Sequence, residues 1–183
     1  ILKIADFDTS LSINKENAVS KGTVNYRPPE VIHDKCKDPI AADIYSAGII
    51  LFLFKYHVFP YIEEGSEQDQ RRFNLFVTGD SQFWEEVEEM IPKEIQQNST
   101  LNDLIFAMVN EDPVKRLSIK EIKNHPWYQG PIYSSSELKK IMEKQLNPDS
   151  KASLTSYLFK SLETLLTSNV NVLFLSKLFF SQE

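Results

Sequence analysis

The rhythm of apolar and polar positions changes several times along the chain, and each change marks an element. Leu2 and Ile4 alternate with Lys3 before the run meets Asp6, the period-two pattern of a short half-buried strand leading into a polar loop. Residues 9–21 are polar, rich in Ser, Asn, Lys and Glu, and predict an exposed loop long enough to carry function. In "GTVNYRPPEVI", Gly22 to Ile32, tandem prolines forbid a regular helix until they are passed, and Pro28 pushes Arg27 toward extended geometry; a shaped turn and then a short helix are expected. After Asp38 and Pro39 comes "AADIYSAGIILFLFKYHVF", whose apolar residues from Ile44 to Phe54 cover every face, so this helix is expected to be buried all round.

Downstream the period becomes that of amphipathic helices. Short ones are predicted around Arg71 to Val77 and around Phe83 to Met90. Thr100 with Asp103 resembles a capping signal opening "LNDLIFAMV", and Ser118 with Glu121 forms a capping box opening "IKEIKNH", with "NEDPVKR" as the turn between the two helices. "NST" at Asn98 fits a glycosylation sequon and is read as a cap and turn. Beyond Tyr128 the character changes. Ser134 with Glu137 caps an expected helix through about Leu146, "NPDS" breaks it, Leu154, Leu158, Leu162, Leu165 and Leu166 recur at helical spacing, and "NVNVLFLSKLFF" is strand-like.

Composition adds limits. The 183 residues are enough for about one domain with a real core, and 42% hydrophobic with 25% charged residues is ordinary for a globular protein. A net charge of -6 argues against a nucleic-acid surface built on phosphate neutralisation. One cysteine, Cys36, cannot form an internal disulfide, which fits a reducing, cytoplasmic setting, and three scattered histidines suggest no zinc site. The longest apolar stretches, Ala47 to Phe54 and Val170 to Phe180, are short of the roughly 20 residues of a membrane span, so no membrane partner is expected. The chain starts at Ile1, without an initiator Met and inside a strand-like run, so further N-terminal sequence is expected upstream.

Asp6 and Asp8, on either side of Phe7, form the first chemical motif. Alone, two carboxylates at a strand end most often just close the strand. Their company changes the reading: Asp-Phe-Asp, a polar loop, Gly-Thr-x-x-Tyr-x-Pro-Pro-Glu from Gly22 to Glu30, an all-apolar helix opened by Asp43, Asp-Pro-x-x-Arg ending at Arg116, and His-Pro-Trp at His125 to Trp127. In this order and spacing, residues 1 to about 128 resemble the C-terminal lobe of a eukaryotic Ser/Thr protein kinase, whose signatures include D-F-G and A-P-E. "DFD" stands in place of the first and "PPE" in place of the second.

The resemblance implies a mainly α-helical fold, with residues 6–30 as the activation segment, residues 129–183 as a C-terminal helical extension, and the N-terminal lobe and catalytic loop outside the 183 residues. It implies ATP and Mg²⁺ as cofactors, Asp6 as metal ligand, and Asp6, Phe7 and Asp8 at the nucleotide. Asp8 occupies a glycine's place. Aspartate tolerates left-handed backbone less well than glycine, and its carboxylate either adds a metal ligand or repels the nucleotide. Thr23, which marks Ser/Thr-directed members, shapes the substrate groove with Tyr26 and Pro28. Glu30 and Arg116 form a buried ion pair, and Asp43 accepts backbone N–H bonds from the catalytic loop.

Thr9, Ser10, Ser12 and Ser20 are the candidate phosphoacceptors of an upstream activating kinase, and a protein substrate is the expected partner. The acidic run Glu85 to Glu89 is read as a solvated helix face. The leucine-bearing helix is read as packed on the lobe, its single lysine, Lys160, fitting a calmodulin target poorly. Function follows as Ser/Thr phosphorylation when the domain is complete, this chain being inactive alone. The alternative is a pseudokinase or scaffold that binds partners through its helical lobe; a free-standing helical interaction module explains the helices but not the ordered motifs.

Overall fold

The computed structural model describes residue 10 and residues 22–62, 65–137 and 139–140. The strand expected at Leu2 to Ile4, the leucine-spaced helix and the "NVNVLFLSKLFF" segment lie outside the described residues. Among the described residues the helices run in the order α1 (Pro29–Ile32), α2 (Pro39–Tyr56), α3 (Glu67–Thr78), α4 (Gln82–Val87), α5 (Ser99–Met108) and α6 (Ile119–Asn124), with single 3-10 turns at Val24–Tyr26 and Pro113–Lys115. Among the described residues every regular element is helical and none is a strand.

Local chemistry sets the boundaries. α2 starts at Pro39 because Asp38 accepts hydrogen bonds from the N–H groups of Ile40 (3.0 Å) and Ala41 (3.1 Å) and proline presets φ at the first position. Asp43 therefore does not open the helix, as the sequence suggested; it sits in the second turn. α2 ends at His57, whose left-handed backbone (φ 59) turns its N–H onto the Leu53 carbonyl.

α3 begins four residues before the expected start, since Ser66 and Asp69 form a capping box, and it stops at Gly79 in the left-handed region (φ 71). α4 ends at Val87, three residues short of Met90. α5 is capped by Asn98, which accepts from the Leu101 N–H at 2.9 Å, and not by Thr100, which lies inside the helix. The Ser118–Glu121 box opens α6 as expected, and reciprocal bonds of the same kind join Ser134 and Glu137.

α2 is the central post, and α5 crosses it where Gly48 allows close approach: a Cβ there would meet Val109 Cγ1 at 2.6 Å. Around Phe52 of α2 gather Phe76 (5.4 Å between ring centres), Phe83 (5.7 Å) and Trp84 (6.1 Å), mostly edge-on. The Tyr56 hydroxyl donates to Asn102 on α5. By length and composition α2 is apolar enough to cross a membrane, but it is the buried core helix of this fold. It is not buried all round. Ile40, Asp43 and Phe54 face outward, with Ile40 42% and Phe54 51% exposed, because the described residues supply neighbours for the rest of the helix surface only.

Candidate functional site

The segment from Gly22 to Glu30 is held at both ends. At its start, Gly22 adopts a backbone (φ 108) that side chains rarely take, and Arg27 reaches back so that its Nε donates to the Gly22 carbonyl at 2.8 Å. This closes a small loop around Thr23, Val24 and Tyr26. At its end, Glu30 accepts both arms of the Arg116 guanidinium, Nη1 to Oε1 at 2.6 Å and Nη2 to Oε2 at 2.7 Å. The remaining N–H groups of Arg116 go to the carbonyls of Ala41 (3.0 Å), Asn110 (2.7 Å) and Glu111 (3.5 Å). Both partners are buried, so their mutual pairing and these carbonyls replace the water they have lost.

Tyr45, which the sequence did not single out, completes this anchor. Its ring lies under the Arg116 guanidinium, 5.0 Å from the ring centre, and its hydroxyl shares a 2.7 Å hydrogen bond with that of Tyr61. Full burial, reinforced by the neighbouring Tyr61, pushes the Tyr45 hydroxyl well above its ordinary pKa. A tyrosine inside an all-apolar run carries no pattern of its own, so only the fold exposes this role.

Thr23 is half-buried and extended; its carbonyl, not its hydroxyl, takes the N–H of Tyr26 at 3.1 Å. Tyr26 is buried edge-on against Phe59, 5.4 Å between centres, and its carbonyl accepts from Ser46 on α2 at 2.8 Å. Burial pushes its hydroxyl up to about 12, and that oxygen has no hydrogen-bond partner among the described residues. Pro28 is buried at the start of α1. The structure thus brings Thr23, Tyr26, Pro28, Glu30 and Arg116 into one assembly around the foot of α2.

Asp43 stands apart on the outward side of α2. Its carboxylate keeps open surface, yet the protein mass around it strips enough hydration to raise its pKa to about 6. Cys36 is half-buried, and burial together with the charge of Glu30 raises its thiol pKa, which keeps it a weak nucleophile. Of the candidate phosphoacceptors only Ser10 is described, and it is exposed; Thr9, Ser12 and Ser20 lie outside the described residues. So do Asp6, Phe7 and Asp8, and among the described residues no group of three His, Cys, Asp or Glu side chains is placed to hold a metal.

Two further features were not anticipated. Asp69 and Arg72 make a buried ion pair within α3. Beside it, between α1 and α3, lies a cavity of about 310 Å³ with Pro29, Ile32, Tyr61 and Phe73 in its walls. In the acidic run, Glu85, Glu88 and Glu89 are exposed, and Glu86 pairs with Arg71 at 3.0 Å.

A helical body that clamps a Gly-Thr-x-x-Tyr-x-Pro-Pro-Glu segment through a buried Glu–Arg pair is the arrangement expected of a protein kinase domain, and residues 1–128 match the family described as "Protein kinase domain". The chain belongs to that family, and the relatives it is similar to include proteins named as Ser/Thr protein kinases. It is 32% identical to an Aurora kinase of Dictyostelium discoideum over 127 residues, 69% of this chain and 29% of that protein. It is 30% identical over 146 residues to the serine/threonine-protein kinase SAPK1 of Oryza sativa subsp. japonica, 78% of this chain and 41% of that protein. A human SNF-related serine/threonine-protein kinase is 32% identical over 132 residues, 71% of this chain and 16% of that protein. The chain therefore spans less than half the length of each.

Proposed function

We propose that this chain is the C-terminal lobe of a Ser/Thr protein kinase, and that the complete protein transfers the γ-phosphoryl group of ATP to Ser or Thr hydroxyls of protein substrates. The observation that carries the reading is the buried two-armed pair of Glu30 with Arg116. It fastens the segment bearing Thr23, Tyr26 and Pro28 to the core, and phosphoryl transfer gains most from rigid positioning of its reactants.

In this reading Thr23, Tyr26 and Pro28 shape the groove for the residue after the phosphoacceptor. Asp43 accepts N–H bonds from a catalytic loop, which would lower its pKa from about 6 and keep it ionised. Asp6 would hold Mg²⁺ through hard oxygen ligation, with Phe7 behind it and Asp8 beside the nucleotide. Bound ATP and Mg²⁺ supply the phosphoryl group and neutralise its charge. The Gly-rich loop, the strand lysine with its helix glutamate, and the catalytic Asp and Asn belong to sequence outside the 183 residues, so the chain alone should not catalyse. Phosphorylation of Ser10, Ser12 or Ser20 by an upstream kinase would act through added charge in the loop.

Asp8 favours a second reading, a pseudokinase or scaffold that has lost nucleotide handling. The deciding experiment incubates the purified complete protein with ATP, Mg²⁺ and a generic protein substrate while its melting temperature is followed. Phosphoserine or phosphothreonine formation with a nucleotide-dependent rise in melting temperature is expected. If neither appears, and Asp8→Gly restores neither, catalysis is ruled out and the scaffold reading stands.

A further inference from the structure

We infer, resting on the kinase reading above, that Arg27 is a specificity-determining residue: by occupying the Gly22 carbonyl it makes the groove select protein substrates in which proline follows the phosphoacceptor Ser or Thr. The Gly22 carbonyl stands beside Thr23 at the start of the segment. It accepts from both Nε (2.8 Å) and Nη2 of Arg27, so its two lone pairs are spent. Glycine is there for its backbone and not for space: φ is 108, while an added Cβ would meet nothing within 4 Å. Arg27 thus locks a backbone conformation in which this peptide unit faces its own guanidinium.

Other carbonyls along the segment are engaged as well. That of Thr23 takes the Tyr26 N–H at 3.1 Å, that of Val24 the Arg27 N–H at 3.0 Å, and that of Tyr26 the Ser46 hydroxyl at 2.8 Å. The Pro28 carbonyl takes the N–H groups of Val31 (2.9 Å) and Ile32 (3.1 Å). The first two serve the 3-10 turn, the third α2 and the fourth α1. An extended peptide laid against Thr23, Tyr26 and Pro28 presents a backbone N–H at every residue except proline. Where the residue after the phosphoacceptor meets this surface, its N–H loses water and finds the adjacent Gly22 carbonyl already saturated. A donor left unpaired against protein is costly, and proline has none to pair. The cost falls on all other residue types alike, so the selection is for a missing N–H and not for a side-chain shape.

The test uses the complete protein with ATP, Mg²⁺ and degenerate peptide libraries that carry a central Ser followed by Pro, N-methylalanine or Ala. N-methylalanine lacks the N–H and also lacks the ring, so it separates the two causes of a proline preference. The Pro and N-methylalanine libraries should each be phosphorylated about tenfold or more faster than the Ala library, the scale of one unmade hydrogen bond. In Arg27→Met, which frees the Gly22 carbonyl, the Pro-to-Ala ratio should fall below about threefold. Equal rates for Pro and Ala, an N-methylalanine library as slow as Ala, or an unchanged ratio in Arg27→Met at the parent's melting temperature each overturns the inference. If Arg27→Met does not fold, the libraries on the parent protein decide alone. Absence of phosphate transfer to every library and to a generic protein substrate counts against the kinase reading instead. Retention of the same libraries on the immobilised protein then decides the inference: stronger retention of Pro and N-methylalanine than of Ala upholds it, and equal retention overturns it.

Discussion

Every N–H of the Arg116 guanidinium faces an acceptor: two carboxylate oxygens of Glu30 and the carbonyls of Ala41, Asn110 and Glu111. Arg116→Ala leaves Glu30 buried without its counter-charge and should cost on the order of 3–5 kcal/mol in urea unfolding. Glu30→Ala, Arg116→Ala together should cost less than the sum of the two. Arg116→Lys keeps the charge but loses the fork and should recover only part. Asp69 gives the second residue-scale expectation. It has little exposed surface but lies near the rim of the protein, so the desolvation that raises its pKa is outweighed by hydrogen bonds from Arg72 and Ser66 and by the Arg72 charge, which together bring it to about 2. A folded pKa below the unfolded value of about 4 means stability present above pH 4 and lost as pH falls toward 2. Asp69→Asn should therefore be less stable than the parent by about 1–2 kcal/mol at pH 7, with the gap closing by pH 2 in thermal unfolding. Glu30 and Arg116 were legible in the sequence because both sit in motifs with fixed neighbours. Tyr45 and the Asp69–Arg72 pair were not, since a tyrosine in an apolar run and charges on an amphipathic helix fit their surroundings whether or not they are paired.

Between residue and molecule, the capping chemistry determines where each helix begins, and it explains which boundaries the sequence conveyed. Ser118 with Glu121 was readable because serine and glutamate three apart stand directly before an apolar run. Asp38 and Ser66 lie five residues ahead of the expected starts, since polar first turns hide the entry of a helix whose apolar face begins later; Asn98, read from the sequence as a cap, does cap α5, where the Thr100 signal does not. Asn98→Ala should cost about 1 kcal/mol, the usual value for losing a cap, while Thr100→Ala should stay within about 0.5 kcal/mol; a chemical-denaturation midpoint for each variant separates them. Where α5 crosses α2 the constraint is steric. Gly48→Ala would press a methyl group 2.6 Å from Val109 Cγ1 and 3.2 Å from Met108 Cβ, so a loss of about 1–3 kcal/mol is expected even though alanine is the better helix former.

For the molecule as a whole, the informative mismatch is α2. Its sequence is apolar on every face, which by itself calls for neighbours all round, yet Ile40, Asp43 and Phe54, three and then eleven residues apart, fall within one stripe that the described residues leave open. The helix was legible; the shape of its surroundings was not, because a hydrophobic pattern states how much contact a helix needs and not which segment provides it. If the chain is one lobe of a larger kinase, that stripe is a seat for the catalytic loop and the segment leading to it, and Phe54 distinguishes the isolated chain from the complete protein. In the chain alone Phe54 is 51% exposed and so already half covered, and Phe54→Ser should cost about 1–2 kcal/mol. In the complete protein the same substitution should cost about 1–2 kcal/mol more, the transfer free energy of the aromatic surface newly covered, and lower the melting temperature by several further degrees. Equal effects in both, measured by thermal unfolding under one buffer, would mean that nothing covers this stripe and that α2 keeps an open apolar face in the working protein.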